Sequence, residues 1–482
     1  MMGIVIVGLG PGDGQLLTRQ AWTVLAAADP LYVRTARHPA VADLPPGGIR
    51  HSFDHLYDTA EDFDQVYQAI IGQVVDMGRH GDVVYAVPGH PLVGEATVTG
   101  VLAAAEQAGI PVTIVPGLSF VEPTLSALGV EGLNGLQLYD ALDVISLHYP
   151  PFNPNAPVLL GQVYNQMIAS ELKLALMTVY PDEHQVLLVH EAGTQTQTIE
   201  RLPLYEIDRT PQSAHLTSLY VPPLPLPGTL AALAETVAIL RAPGGCPWDQ
   251  EQTPQSMRSG FLEEATEVLA ALDAEDSDAL CEELGDMLYH IVMQVQMAAE
   301  EEAFKLTDVV AGIDVKLKRR HPHVWGDWQV ANSAEVIRNW EQIKAQEKAA
   351  APHSLLDNIP LALPALARSQ KIQDRVNKIG FDWPDIAGVW AKLDEEVQEL
   401  HAAATPTERT AELGDVLFVV VNLARWLGVD AETALRESNL RFSQRFQGVE
   451  KLAQERGIDL AKLDFAVLDD LWQEVKRQIS QS

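Results

Sequence analysis

Glu263-Glu264-Ala265-Thr266-Glu267 with Glu283-Leu284-Gly285-Asp286, and again Glu395-Glu396-Val397-Gln398-Glu399 with Glu412-Leu413-Gly414-Asp415, organise the second half of this chain. The same landmarks surround each pair in the same order. Gly245-Cys246-Pro247-Trp248-Asp249 precedes the first, and Gly380-Phe381-Asp382-Trp383 the second. Lys316 with Arg320, then Trp340 with Lys344, follow the first; Arg441 with Arg445, then Trp472 with Lys476, follow the second. Landmarks that recur in one order across loops of different length mark a duplicated unit, and a repeat is read before any single motif. Amphipathic helical periods from Leu230 onward predict two helical units, 230–348 and 365–482, joined by a hinge over 349–364 where Pro352, Pro360 and Pro364 cluster.

Residues three or four apart share a helix face, so Glu264 points with Glu267 and Glu283 with Asp286. Two such helices packed antiparallel bring the four carboxylates to one spot. Glu396, Glu399, Glu412 and Asp415 repeat the arrangement. Like charges held close demand protonation or a cation, and an oxygen-only set suits Mg²⁺ or Mn²⁺ rather than zinc. One Glu-Glu-x-x-Glu in an acidic chain is ordinarily a solvated helix face; repetition of both carboxylate pairs, for which packing gives no reason, favours metal. A metal beside lysine or arginine is a usual polyphosphate clamp. Lys316, Arg320 and Lys344 are the first unit's candidates, and Arg441, Arg445 and Lys476 the second's. Trp340 and Trp472, each four residues before its lysine, are placed to stack on a base. The predicted reaction is hydrolysis of a phosphoanhydride.

Gly-Cys-Pro-Trp-Asp, Glu-Glu-x-x-Glu, Glu-Leu-Gly-Asp and Arg320-His321-Pro322-His323-Val324-Trp325 together resemble the MazG family of nucleoside triphosphate pyrophosphohydrolases, from Leu230 nearly to the C-terminus. The resemblance implies an all-α, usually dimeric fold in which carboxylate-held Mg²⁺ lets water cleave between the α and β phosphates, giving a nucleoside monophosphate and pyrophosphate. It also implies that the second unit can carry the activity while the first is structural. Glu396, Glu399, Glu412 and Asp415 would then be catalytic metal ligands, with Arg441, Arg445, Trp472 and Lys476 on the nucleotide. Arg441 stands where the family often has lysine, which keeps charge and changes geometry. The first unit keeps its full set, so two working sites stay open.

The first half reads differently. Ile4–Val7, Val83–Val87, Val112–Val115, Leu142–Leu147 and Val186–His190 are β-branched or apolar runs between helical stretches, an α/β pattern over residues 1–220. The segment 221–229, with Pro222, Pro223, Pro225 and Pro227, reads as a linker. Gly8-Leu9-Gly10-Pro11-Gly12-Asp13 follows the first strand, but Asp13 stands where a dinucleotide fingerprint needs glycine. Pro88-Gly89-His90-Pro91 and Pro116-Gly117-Leu118-Ser119 close two more strands, and three glycine turns at strand ends predict one cleft lined by backbone amides. Together they resemble the tetrapyrrole methylase family over Met2–Tyr220, and the fusion with MazG-like units is similar to YabN-type proteins. That implies an S-adenosylmethionine site between two α/β lobes near Gly10, Pro11, Pro88, Gly89 and Pro116. His90 departs from the Gly-Asp-Pro many such methylases carry; it is either ligand-facing or a loop histidine with a structural hydrogen bond.

Composition narrows partners. At 482 residues several domains are expected, since roughly 100–200 residues make one. A net charge of −33 disfavours nucleic acid and anionic membranes. No apolar run approaches the roughly 20 residues that span a bilayer. Cys246 and Cys281 are too few for a disulfide framework, and a reducing cytoplasm is expected. The expected partners are nucleoside triphosphates and a second copy of the chain, a homodimer formed through the helical region. Two other readings stay open: a methyltransferase whose repeats only dimerise, and a nonenzymatic acidic scaffold.

Overall fold

The computed structural model describes residues 3–44, 49–57, 62–210, 216–348, 354–357 and 359–479. Pro352 and the start of the expected hinge lie outside the described residues. Two compact units divide the chain, Met1–Gln252 and Thr253–Ser482.

Two five-stranded sheets build the first unit. Strands β1 (Ile4–Gly8), β2 (Leu31–Val33), β3 (Arg50–Ser52), β4 (Val83–Val87) and β5 (Val112–Val115) lie in the order β3-β2-β4-β1-β5, all parallel. Strand β1 is apolar throughout because both its faces are covered, as parallel sheets require. Ile4 and Ile6 pack with Val66, Ile70 and Val74 of the helix Phe63–His80 on one side. Val7 packs with Ala21 and Leu25 of Arg19–Ala27 on the other. The second sheet is mixed, with order β6-β7-β10-β8-β9, from β6 (Gln137–Asp140), β7 (Val158–Gly161), β8 (Gln185–His190), β9 (Thr198–Pro203) and β10 (Thr217–Val221).

Two expectations are corrected here. Leu142–Leu147 is not a strand: Ala141–Ile145 is a helix, started by the Asp140 side chain accepting from the Leu142 amide, and it buries Ala141 and Val144 at helical spacing. Val221 does not begin a linker; it ends β10, the middle strand of its sheet. The prolines after it are tied to the first unit. Leu224 N–H donates to Pro154 O at 2.8 Å, and the Asn155 side chain bonds Leu226 O at 2.6 Å and Gly228 N at 2.9 Å. Consequently Leu230–Arg241 and Pro247–Glu251, the helices around the first Gly-Cys-Pro-Trp-Asp, group with the first unit.

The second unit is helical: α1 (Arg258–Ala274), α2 (Ser277–Glu300), α3 (Leu306–Arg320), α4 (Ser333–Lys348), α5 (Ala365–Asn377), α6 (Ile386–Ala402), α7 (Pro406–Trp426), α8 (Ala431–Glu455) and α9 (Phe465–Ile479). Short capped turns fold α1 on α2 and α6 on α7. Asp276 caps α2 by accepting from the Asp278 and Ala279 amides. A Thr405–Glu408 capping box with Pro406 in the first turn starts α7. Connections this short force antiparallel hairpins, which set the two carboxylate motifs face to face. The α6–α7 hairpin has its own apolar seam, Val389 against Val419 and Leu423. Helix α3 buries none of its residues, and no described residue of α4 is buried either. No described helix is long and apolar enough to cross a membrane.

Candidate metal centres and glycine-turn cleft

Each hairpin gathers three of the four expected carboxylates. One oxygen each from Glu264, Glu267 and Glu283 lies within 4.8 Å of the others, as does one each from Glu396, Glu412 and Asp415. The fourth members, Asp286 and Glu399, are exposed and outside the trios but still act on them electrostatically. Partial burial and the facing Asp286 and Glu267 push the Glu264 carboxyl up from its ordinary range; Glu283 rises through burial with Glu267 and Glu264, and Glu412 through burial with Glu399 and Glu396. Carboxyls that resist ionisation together form a site short of positive charge, and oxygen donors at this spacing fit a hard divalent cation.

The two centres are not copies. Four residues before Glu396 stands Lys392, whose ammonium pairs with Glu396 at 2.7 Å and Glu395 at 2.9 Å. Four residues before Glu264 stands Gly260, and a side chain there would meet the His290 ring at 2.8 Å. His290 is buried, with Nε2 3.7 Å from Glu264 and Nδ1 without a partner. Burial lowers its pKa against the pull of Asp286. Val419 occupies the corresponding place in the second hairpin, turned into the apolar seam. Neither Lys392 nor His290 was singled out in the sequence; both sit one helical turn from a motif residue, and that spacing was the available signal.

The cation–aromatic landmarks also fold together. Arg320 lies over Trp340 at 5.4 Å and Lys344 at 4.8 Å, while Arg319 and Arg320 both pair with Glu347. Lys316 shares α3 with Arg320, one turn earlier. In the second half Arg445 lies 5.9 Å from the Trp472 ring, Phe442 packs on Trp472 at 5.0 Å, and Arg441 pairs with Glu437 at 3.4 Å. Trp472 is half-buried against Val449, Leu452, Leu471 and Val475, so it serves packing as well as presenting a face. Lys476 follows on α9. The repeated aspartate of the first landmark is structural in the second half: Asp382 accepts from Arg425 and from Trp426 Nε1.

In the first unit the three glycine turns meet. Gly10 and Gly89 exchange backbone hydrogen bonds, Gly10 N to Gly89 O at 3.2 Å and Gly89 N to Gly10 O at 2.8 Å, each in the left-handed region with φ of 74° and 67°. A side chain on Gly117 would stand 2.5 Å from Gly89 O, which only glycine permits. Pro11 and Pro88 flank this bridge, and Pro116 O accepts from Thr18 at 3.1 Å. The turn at Gly193-Thr194, unread in the sequence, closes on Gly12 from the second sheet; a Gly12 side chain would meet Gly193 O at 2.9 Å. His90 Nδ1 accepts from the Leu92 amide at 3.1 Å, the structural of its two readings.

Comparison with known proteins accounts for both halves. Family models match tetrapyrrole (corrin/porphyrin) methylases over residues 3–208, the MazG nucleotide pyrophosphohydrolase domain over 252–325 and phosphoribosyl-ATP pyrophosphohydrolase over 381–441. A Bacillus subtilis relative, described as uncharacterized protein YabN, is 39% identical, with 98% of each chain covered. The chain belongs to the YabN family. Within this YabN-type architecture the helical half is similar to the nucleoside triphosphate pyrophosphohydrolase of Escherichia coli K12, 47% identical over 50% of this chain and 94% of that protein. It is also similar to nucleoside triphosphate pyrophosphohydrolase/pyrophosphatase MazG of Thermotoga maritima, 41% identical over 49% and 91%. Uroporphyrin-III-C-methyltransferase from Thermus thermophilus aligns with 24% identity over 46% of this chain and 93% of that one, at a TM-score of 0.36. The α/β domain followed by MazG-type helices is thus the YabN arrangement, as the motifs had implied.

Proposed function

We propose that the helical unit hydrolyses nucleoside triphosphates to monophosphate and pyrophosphate with Mg²⁺ or Mn²⁺. One observation carries this reading: the two carboxylate trios, each within 4.8 Å, on the hairpins of a chain whose relatives bear that activity in their names. Glu264, Glu267 and Glu283, and Glu396, Glu412 and Asp415, are the residues that would hold the metal, with Asp286 and Glu399 able to join. Bound there, a divalent ion supplies charge for the phosphates and a more acidic water. The chain's own groups do the rest. The carboxylates orient the attacking water toward the α-phosphorus as the bridging P–O bond to the β-phosphate breaks and pyrophosphate leaves with the pair of electrons. Lys316, Arg320 and Lys344, or Arg441, Arg445 and Lys476, neutralise the phosphates, and Trp340 or Trp472 offers a face to the base.

Product analysis with a panel of nucleoside triphosphates tests it. Monophosphate with pyrophosphate, abolished by Glu396→Gln with Glu412→Gln, supports the reading and assigns it to the second hairpin. Diphosphate with inorganic phosphate, or no cleavage by the unaltered protein, sinks it.

The first unit is proposed to bind S-adenosylmethionine at the glycine-turn cleft, on the convergence of Gly10, Gly89 and Gly117 and the match to the methylase model. Equilibrium dialysis with the labelled cofactor tests this directly. The exposed apolar residues of α3, Val309, Val310, Ile313, Val315 and Leu317, support a homodimer, which sedimentation would measure.

A further inference from the structure

Lys392 is 31% exposed at the side chain while its partner Glu396 is 7% exposed, so the ammonium covers a buried carboxylate from the solvent side. It therefore sits on one of the three carboxylates that a divalent ion would need. An ammonium and a divalent cation cannot share one carboxylate closely without strong repulsion, while a triphosphate carrying one divalent ion retains net negative charge. Resting on the metal reading above, we propose that Lys392 is a displaceable counter-ion: it holds Glu396 in the metal-free second centre, yields that carboxylate to the arriving cation, and passes its own charge to the polyphosphate. Lys392 is thus a positioning residue before binding and a phosphate contact after it. Among the described residues the first centre shows no such lysine, because Gly260 supplies no side chain and the buried His290 imidazole fills the space.

The same four-carbon stem that reaches Glu396 and Glu395 swings through several ångströms by rotamer change alone, without backbone movement.

The test uses the full chain with the first centre silenced by Glu264→Gln and Glu267→Gln. Mn²⁺ binding is measured by calorimetry without nucleotide, and then binding of a nonhydrolysable triphosphate analogue with Mn²⁺ present. Lys392→Met is expected to tighten Mn²⁺ by about tenfold and weaken the analogue by a similar factor; Lys392→Arg is expected to keep both near the parent. Loss of packing alone weakens both ligands together, so opposite shifts separate the proposal from damage, and thermal melting of each variant checks the fold. Unchanged or weaker Mn²⁺ binding in Lys392→Met overturns the proposal while leaving the metal centre standing. Absence of Mn²⁺ binding in parent and variant alike removes the metal reading and the counter-ion with it.

Discussion

The α1–α2 and α6–α7 hairpins carry the same two acidic motifs at the same helical spacing, yet they solve the problem of crowded negative charge in different ways. In the second, Lys392 lies on Glu396, a cation built into the chain. In the first, Glu264 and Glu283 are both pushed up, and Glu264 faces the His290 imidazole at 3.7 Å. Two residue exchanges account for the difference, glycine against lysine at one place and histidine against valine at another. On the proposed metal reading, the first centre would relieve its repulsion by protonation or by an external ion, and the second would set its own lysine against that ion. Duplication preserved the donors and varied what stands beside them.

The largest effect that would break this comparison is on chemistry. Glu396→Gln with Glu412→Gln is expected to lower pyrophosphate release by about a hundredfold or more, as loss of metal-orienting groups does, whereas Glu264→Gln with Glu267→Gln leaves most turnover if the second centre is the working one. Equal losses from both pairs, read by pyrophosphate assay, would mean two coupled sites. A smaller effect concerns metal affinity: Mn²⁺ titration of the unaltered protein is expected to resolve two classes of site, the tighter one lost in Glu264→Gln with Glu267→Gln. A single class of equal sites would erase the distinction Lys392 makes.

Trp340 and Trp472 sharpen the contrast further. Trp472→Ala removes packing against Val449, Leu452 and Val475 and is expected to cost about 2 kcal/mol in denaturant unfolding. Trp340→Ala, with cations rather than a core against its ring, should cost less than half of that and weaken nucleotide binding instead. The smallest effect is on pH dependence. A carboxyl whose pKa is raised by folding weakens the folded state once ionised, so its penalty is present above the folded pKa and gone below the unfolded value near 4.5. Metal-free Glu283→Gln should therefore melt higher than the parent at pH 8, by an amount that shrinks to nothing by about pH 4 and that excess Mg²⁺ removes. A variant that melts lower at pH 8 would show that Glu283 is held by hydrogen bonds rather than strained by its neighbours.

What the sequence yielded follows from burial and repetition. Strands β1, β4 and β8 were legible as apolar runs because most of their residues are buried, and the edge strand β5, with Thr113 exposed, was legible from its β-branched residues. Strands β2 and β3 are three residues long, and Arg50-His51-Ser52 has nothing apolar to announce it; pairing alongside Leu31–Val33 makes it a strand. Leu142–Leu147 looked like a strand because a short apolar run has no clear period, and the cap at Asp140 decided the matter. At the acidic centres the repeat revealed the shared donors and hid Lys392 and His290, since a search for what two units have in common passes over the positions where they differ. The convergence of three glycine turns was legible; Gly193 was not, because its partner Gly12 is distant in sequence and only the fold brings them within reach.

Helix α3 carries Lys316 and Arg320 but buries none of its own residues. A helix of 15 residues is marginal on its own, so the placement of these candidate phosphate contacts rests on the α4 groups that hold Arg320 and on whatever covers the exposed apolar face of α3. With a second copy in that role, dilution would act as an inhibitor. Any nucleotide binding that relies on Lys316 and Arg320 would weaken as the protein is thinned out, with no change in any residue that touches the nucleotide.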